Sequence, residues 1–453
     1  IGKTVPDKVQ GGRNDWHQRP PECRWIQGFD VQRHAIEQCG GYHRPYQGFR
    51  KQTRIAKHIT MATIFPFRAA RPQATLATEV AAPPYDVLSS DEARTAVDGN
   101  PHSFLHVTKS EVDMPVELSI YHSSVYEKAK SNLEEMLASG VLFQDETPCY
   151  YIYELVMDER SQTGLVCCSS VDDYENDIIK KHEFTRPEKE QDRINHIKVT
   201  RAQTGNVFLA YRNVASLDEL IGDWKKNNVP AYDFNAADGI SHRIWVIAAE
   251  EAVNNITTIF EKEVPCTYIA DGHHRAASAA KVRAALGDAA GPEADGFLTT
   301  LFPADELKIM PYNRIVKDLN GMDPSDLISA LQEDFMVSSS EVPVGPAHLH
   351  EFGMYMEGEW YHLTAIEGTY TDDPIGILDV SIFSRNILEK LLDIEDQRTD
   401  KRIDFVGGIR GLKELEKRVD SGEMKVAFSF YPVSIGQLFD IADSGNVMPP
   451  KST

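Results

Sequence analysis

Five consecutive residues, Asp271-Gly272-His273-His274-Arg275, put a carboxylate, two imidazoles and a guanidinium into one short segment. The apolar run 266–270 precedes it and the alanine-rich stretch 276–286 follows. That order predicts a strand, a tight turn and the start of a helix. A helix N-terminus offers N–H groups without intrahelical partners and the positive end of the dipole, and the two together hold an anion. Gly272 permits the turn and the close approach of a ligand. Asp271 is placed to cap the helix by accepting the N–H of His273 or His274. Arg275 can clamp two phosphate oxygens at once, and His274 shares its first turn. Charged histidines and an arginine are unfavourable at that end of a helix, and a bound anion removes the cost. A capped helix with solvated polar residues fits the same pattern. The chemistry expected is phosphate binding, with the reaction left open.

Other clusters could complete such a site. Lys181-His182-Glu183-Phe184-Thr185-Arg186 is followed by Glu188, Lys189, Asp192, Arg193 and His196. In a helix over 188–196, Lys189, Asp192, Arg193 and His196 share a face, which equally suits a surface ladder of ion pairs. Glu183, with His182 beside it, is a candidate general base or metal carboxylate. Pro83-Pro84-Tyr85-Asp86 is a rigid segment able to present Tyr85 and Asp86 to a ligand hydroxyl or magnesium. Asn313-Arg314 at a strand start, and Lys451 beside Ser452 and Thr453, are further anion contacts; an ordinary turn, strand or tail explains each as well. The chain has no GxxxxGK[ST] loop, no HExxH and no GxSxG. The glycines in 405–411 do not form a dinucleotide fingerprint.

These groups need a scaffold, and periodicity predicts a mixed one. Helices are expected at 92–97, 123–139, after Pro187, 217–225, 253–261, 324–335, 380–392 and 435–443. Strands are expected at 103–107, 150–157 and 164–169 as a hairpin, 207–211, 244–247, 297–302, 309–316, 348–355 with 359–365, and 425–430. Isolated strand–helix units among local hairpins point to α/β or α+β packing.

The totals narrow the class. The chain has 453 residues, 42% of them hydrophobic, and a net charge of −22. It is long enough for more than one domain. Such acidity argues against nonspecific nucleic-acid binding, which needs a cationic surface. No run of eighteen apolar residues and no signal-peptide pattern is present, so no membrane span is expected. Six cysteines without close metal-ligand spacing suit a reducing cytoplasm. Residues 1–60 differ: they carry 11 Lys+Arg against 5 Asp+Glu, while the remainder carries 36 against 64. This basic extension is expected to be disordered or foreign, with Met61 as the functional start. Its His17, Cys23, His34, Cys39 and His43 match no common zinc finger.

From Met61 onward the chain resembles the uncharacterised bacterial and archaeal family of domains of unknown function numbered 1015, whose members carry an HHR motif. The resemblance rests on 83–87, His182-Glu183 with Asp192-Arg193, the 271–275 turn, Tyr312-Asn313-Arg314 and 448–453. Members continue past the last motif, so a truncated C-terminus is expected. The turn is also similar to the phosphate-binding turn of the ParB/sulfiredoxin-like superfamily, which includes free-serine kinases. That resemblance implies a ParB/sulfiredoxin-like core with large insertions, divided into regions 61–240 and 241–453. It implies ATP or ADP, or CTP, with Mg, held by Asp271 as metal ligand and by Gly272, His273, His274, Arg275, Arg193, Asn313, Arg314 and Lys451. Glu183, Asp271 and His182 would serve catalysis, and Tyr85 and Asp86 the substrate. A sulfiredoxin activity is not expected, because His273 stands where those enzymes have their cysteine. The implied activity is phosphotransfer to a small hydroxylated metabolite such as free serine. Hydrolysis of a phosphate ester or nucleotide, and non-catalytic nucleotide binding, are the alternatives. The expected partner is a small molecule; a homo-oligomer is left open.

Overall fold

The computed structural model describes residues 61–449, apart from 183, 184, 186 and 447, together with the short strand Arg24–Ile26. The rest of the basic extension, with its His and Cys set, lies outside the described residues, as do Glu183 and Lys451. The fold is mixed α/β.

The large sheet runs in the order Tyr232–Asn235, Ser241–Ile247, Tyr150–Met157, Arg160–Ser170, Gly296–Pro303, Val207–Tyr211, Thr267–Asp271 and Ile179–Lys180. Ile64–Phe65 pairs with Arg160–Ser170 off this path. The hairpin expected around 158–163 is present, with Tyr151 opposite Val166 and Met157 opposite Arg160. Cys167 and Cys168 point to opposite faces, yet both are buried, because both faces of this central strand are covered. The boundary expected at 240/241 falls in the turn joining Tyr232–Asn235 to Ser241–Ile247, and the sheet draws strands from both sides of it.

The helices bury the faces that their spacing predicts. Ser123–Ala138 turns Val125, Tyr126, Ala129, Leu133 and Met136 inward, is capped by the His122 side chain, and is followed by Gly140 at φ 77°. Ser90–Val97 begins with a capping box between Ser89 and Glu92, and Ile435–Asp443 with one between Ser434 and Gln437. His273–Leu286 is buried nearly all round through Ala276, Ala277, Ser278, Ala279, Ala280 and Val282. Its small side chains let Pro187–Thr200 pack closely against it. The strand expected at 103–107 is instead the short helix Leu105–Thr108. Phe104, Leu105 and Val107 are buried, and a short apolar run of this kind does not separate strand from buried helix.

A six-stranded antiparallel sheet follows in the order Phe335–Ser340, Glu359–Ala365, Glu351–Met356, Val426–Phe430, Tyr312–Val316 and Ile403–Gly407. The helix expected over 380–392 is Asp379–Phe383 continued by a π-helical segment, Ser384–Glu389. Tyr268 of the large sheet stacks on Phe439 of helix Ile435–Asp443, ring centres 3.8 Å apart, with the Tyr268 hydroxyl donating to Asp443 at 3.0 Å.

Candidate functional site

Strand Thr267–Asp271 runs beside Val207–Tyr211, and its register shifts between Ile269 and Asp271. A bulge of this kind bends the strand end and re-aims the last side chain. Gly272 follows at φ 93°, in the left-handed region, and serves as the N-cap of His273–Leu286. A Cβ there would lie 3.3 Å from Val207 Cα and 3.2 Å from Arg275 Nε, so the position needs glycine for both conformation and space.

Asp271 does not cap the helix. No side chain caps it at Gly272, and the Asp271 carboxylate instead accepts from Arg275 Nη2 at 2.6 Å. Arg275 Nη1 donates to the backbone oxygen of Asn206. The guanidinium is thus pinned between the turn and the loop that leads into Val207–Tyr211. A four-residue spacing on a helix brings Asp271 and Arg275 together, and a carboxylate prefers a guanidinium to a single amide.

Burial also removes one of the charges expected at this terminus. His273 is buried at 4% exposure. Burial first, and then His182, His274, Arg275 and Lys181, push its pKa well below the ordinary value, so it is neutral. Its ring meets that of His182 edge-on, centroids 4.7 Å apart. His182 is buried too; burial pushes it down to about 4, against the pull of Asp271. Its Nδ1 has no hydrogen-bond partner among the described residues.

The segment carrying Tyr85 closes one side. Arg193, on helix Pro187–Thr200, lies over the Tyr85 ring with its Cζ 4.0 Å from the centroid. Its Nε and Nη2 donate to Asp192 Oδ2 at 3.0 and 2.7 Å, and Asp192 Oδ1 accepts from the Tyr126 hydroxyl at 2.9 Å. The Tyr85 hydroxyl is pushed up to about 12 by burial, although Arg193 and Arg275 both act against that rise. Both arginines therefore act on one phenol. Asp86, next in the chain, is exposed. A shallow depression lies here, lined by Pro83, Tyr85, Phe104, Thr108, Thr204 and Gly205 among others. A Cβ on Gly205 would stand 3.4 Å from Arg275 Cδ, which ties the depression to the turn.

The rest of the expected 188–196 face divides. His196 is buried, with Nε2 at 3.0 Å from the oxygen of Val107, while Lys189 is exposed. Asn313 and Arg314 stand in the six-stranded sheet. Asn313 Oδ1 accepts from Phe430 N at 3.2 Å. The Arg314 guanidinium is fully buried, 4.6 Å from the Phe430 ring and 5.5 Å from that of Phe405, and burial pushes it down to about 9.

Sequence reading passed over Glu190 and Asn206. Asn206 is buried at 6% exposure, and its Oδ1 has no hydrogen-bond partner among the described residues. Its only signal was a Gly-Asn pair before a strand. Glu190 stood unmarked in a charged run, and its burial at 3% arises from helix packing.

A family model matches residues 64–381, well over half of the chain. The chain belongs to the family described as protein of unknown function, DUF1015. No curated protein matches the sequence. Among solved structures, 64% of this DUF1015 chain is similar to 85% of a free serine kinase point mutant in complex with AMP, at 13% identity and a TM-score of 0.32. It is similar over 64% of its length to 88% of a conserved hypothetical protein from Pyrococcus furiosus, at 15% identity and TM-score 0.30. A third likeness, over 63% of this chain and 80% of the other, is to SbnI with a C-terminal truncation from Staphylococcus aureus, at 10% identity and TM-score 0.30. Among the described residues, no group of three or more His, Cys, Asp or Glu could hold a metal ion, and no helix is long and apolar enough to cross a membrane.

Proposed function

We propose that this chain is a nucleotide- and magnesium-dependent phosphotransferase acting on a small hydroxylated metabolite, free serine being the first candidate. The observation that carries this reading is the Asp271–Arg275 pair, 2.6 Å apart at a helix N-terminus whose N-cap residue, Gly272, has no side chain to cap it. The pair holds a cation suited to phosphate and an anion suited to magnesium, each partnering the other. A magnesium-bound phosphate would supply both with better-matched partners, phosphate oxygens for Arg275 and the metal for Asp271. One carboxylate fits this metal, which keeps several waters and takes its other ligands from substrate phosphates. The magnesium would neutralise charge on the transferred group, as phosphoryl transfer requires.

The remaining residues have supporting roles. The N–H groups of the first helical turn and His274 face the same anion. Tyr85, held by Arg193 and lining the depression beside Arg275, contacts the substrate, with Asp86 next to it. Gly272 lets the phosphate approach the backbone. His273 and His182 form the neutral, buried floor beneath the turn. Glu183 is the proposed base for the substrate hydroxyl, adjacent in sequence to His182. The ParB/sulfiredoxin-like core, and contributions from Asn313, Arg314 and Lys451, belong to the same proposal and rest on the sequence motifs.

Phosphorus NMR tests the reading. The full chain is incubated with magnesium and ATP, ADP or CTP, with and without L-serine. Serine-dependent phosphate transfer is expected; release of inorganic phosphate without serine would instead indicate a hydrolase. Asp271→Asn and Arg275→Ala should each cut turnover by about 100-fold or more while leaving the thermal unfolding transition in place. Unchanged turnover in both overturns the site.

A further inference from the structure

The guanidinium of Arg275 joins two oxygens from different elements. Nη2 donates to Asp271 Oδ2 at the end of strand Thr267–Asp271, and Nη1 donates to the backbone oxygen of Asn206 in the loop before Val207–Tyr211. The two nitrogens share one carbon, so the carboxylate and the carbonyl face a single slot that a cation fills. The loop is pressed against the turn: a Cβ on Gly205 would stand 3.4 Å from Arg275 Cδ, and one on Gly272 3.3 Å from Val207 Cα. Asn206 carries a second oxygen with no use in the fold. The residue is 6% exposed, and its Oδ1 has no hydrogen-bond partner among the described residues. A buried amide oxygen left unpaired is costly and rare. Thr204 and Gly205, just before it, line the depression beside Tyr85, so the loop borders solvent.

We propose that Asn206 is a second oxygen-bearing residue of the magnesium site, its backbone oxygen facing the metal and its Oδ1 accepting from a metal-bound water. The inference rests on the nucleotide and magnesium reading above. In that reading Arg275 goes to phosphate oxygens. Its departure leaves Asp271 Oδ2 and the Asn206 carbonyl without the cation that joins them. Oxygens of a buried residue are unfavourable without a donor or a cation, and a small dication in the same slot answers both. Carboxylate and carbonyl oxygens are hard ligands, which suit magnesium, calcium or manganese rather than softer metals. Magnesium keeps several waters, and a water on the metal is the donor that the orphaned Oδ1 lacks. Among the described residues no group of three or more His, Cys, Asp or Glu could hold a metal ion. One carboxylate helped by the neutral oxygens of Asn206 is therefore what this fold offers. Arg275 and the metal take one slot in turn.

Manganese, a paramagnetic substitute for magnesium, tests this on the full chain. Its binding is read by water-proton relaxation with and without ADP, and ADP binding in EDTA is read by calorimetry. Asn206→Leu should weaken manganese binding to the ADP complex by about tenfold or more and leave metal-free ADP binding unchanged. Asn206→Asp, of the same shape with an added charge, should tighten manganese by about tenfold without tightening metal-free ADP. Arg275→Ala empties the slot and should raise the manganese affinity of the chain without nucleotide; adding Asp271→Asn should remove that gain. A loop that only supports the turn gives another pattern, in which Asn206→Leu weakens ADP equally with and without metal. That pattern, an Asn206→Asp chain that binds manganese no tighter than wild type, or an Arg275→Ala chain that gains none overturns the role of Asn206 and leaves the anion site standing. If Asn206→Leu does not fold, the isosteric Asn206→Asp and Arg275→Ala decide. A wild-type chain that binds ADP neither with nor without metal overturns the anion site and this inference with it.

Discussion

Arg193 lies with its guanidinium 4.0 Å from the centre of the Tyr85 ring, joining the proline-rich segment to a helix more than one hundred residues later. The same guanidinium meets Asp192 through two nitrogens. Lysine can supply the charge but neither the planar stack nor the fork. Arg193→Lys should therefore cost about 1–2 kcal/mol in urea unfolding and weaken substrate binding more than nucleotide binding. Tyr85→Phe keeps the stack and should keep the stability while losing the hydroxyl that both arginines act on. Equal unfolding midpoints for Arg193→Lys and wild type would count against the stack as a support.

Gly272 gives a sharper separation of fold from site. Gly272→Ala forces a side chain into the left-handed region, at about 1–2 kcal/mol, and drives its Cβ against Arg275 and Val207. Gly140→Ala is the control: it has φ 77° and nothing within 4 Å of the added carbon. Both variants should lose similar stability by thermal unfolding, apart from the contact with Val207. Only Gly272→Ala should lose ADP binding by calorimetry, by tenfold or more on the order of one displaced arginine clamp.

Buried histidines set the acid limb of stability. His182, His196 and His242 are each pushed down to about 4, first by burial. The unfolded chain binds their protons near pH 6.5, so it holds more protons than the fold between 6.5 and 4. Stability is present above 6.5 and is lost as pH falls through that window, by roughly 2–3 kcal/mol per histidine. His242, stacked against Phe234 and hydrogen-bonded to the Tyr153 hydroxyl at 2.8 Å, lies apart from the site. His242→Phe should start about 1 kcal/mol less stable at pH 7 through the lost hydrogen bond, yet decline less towards pH 4. Parallel urea-midpoint curves for the two proteins would refute this.

Asp379 acts in the opposite sense. Burial pushes its carboxyl up to about 7, against the hydrogen bond from His350 N and with Glu351 adding to the rise. The folded state then holds a proton that the unfolded state releases near pH 4. Its contribution is complete below that value and is lost as pH rises through 7. Asp379→Asn keeps an acceptor for His350 N, bonded at 2.8 Å, and removes the buried charge. It should be stabilising by about 1–3 kcal/mol at pH 8 and near neutral at pH 4, read as a difference in Tm at the two pH values.

Sequence alone settled the local features. The strand, glycine turn and helix around 271–275 follow from an apolar run, a glycine and a row of alanines, all short-range signals. The hairpin at 150–170 and helices Ser123–Ala138 and Ile435–Asp443 were legible for the same reason: period, cap and turn residues lie within a few positions of one another. Motif content also pointed to the family. The tertiary structure decided which charges meet. Asp271 could cap or pair, and only the bulge and the neighbouring loop at Asn206 turn it towards Arg275. Glu190 stood unmarked in a charged run until packing against a helix of alanines buried it against Lys281. The burial of Arg314 against two phenylalanines of its own sheet was likewise not legible in the sequence. Burial and long-range electrostatics depend on distances between residues far apart in the chain, and periodicity carries no record of those distances.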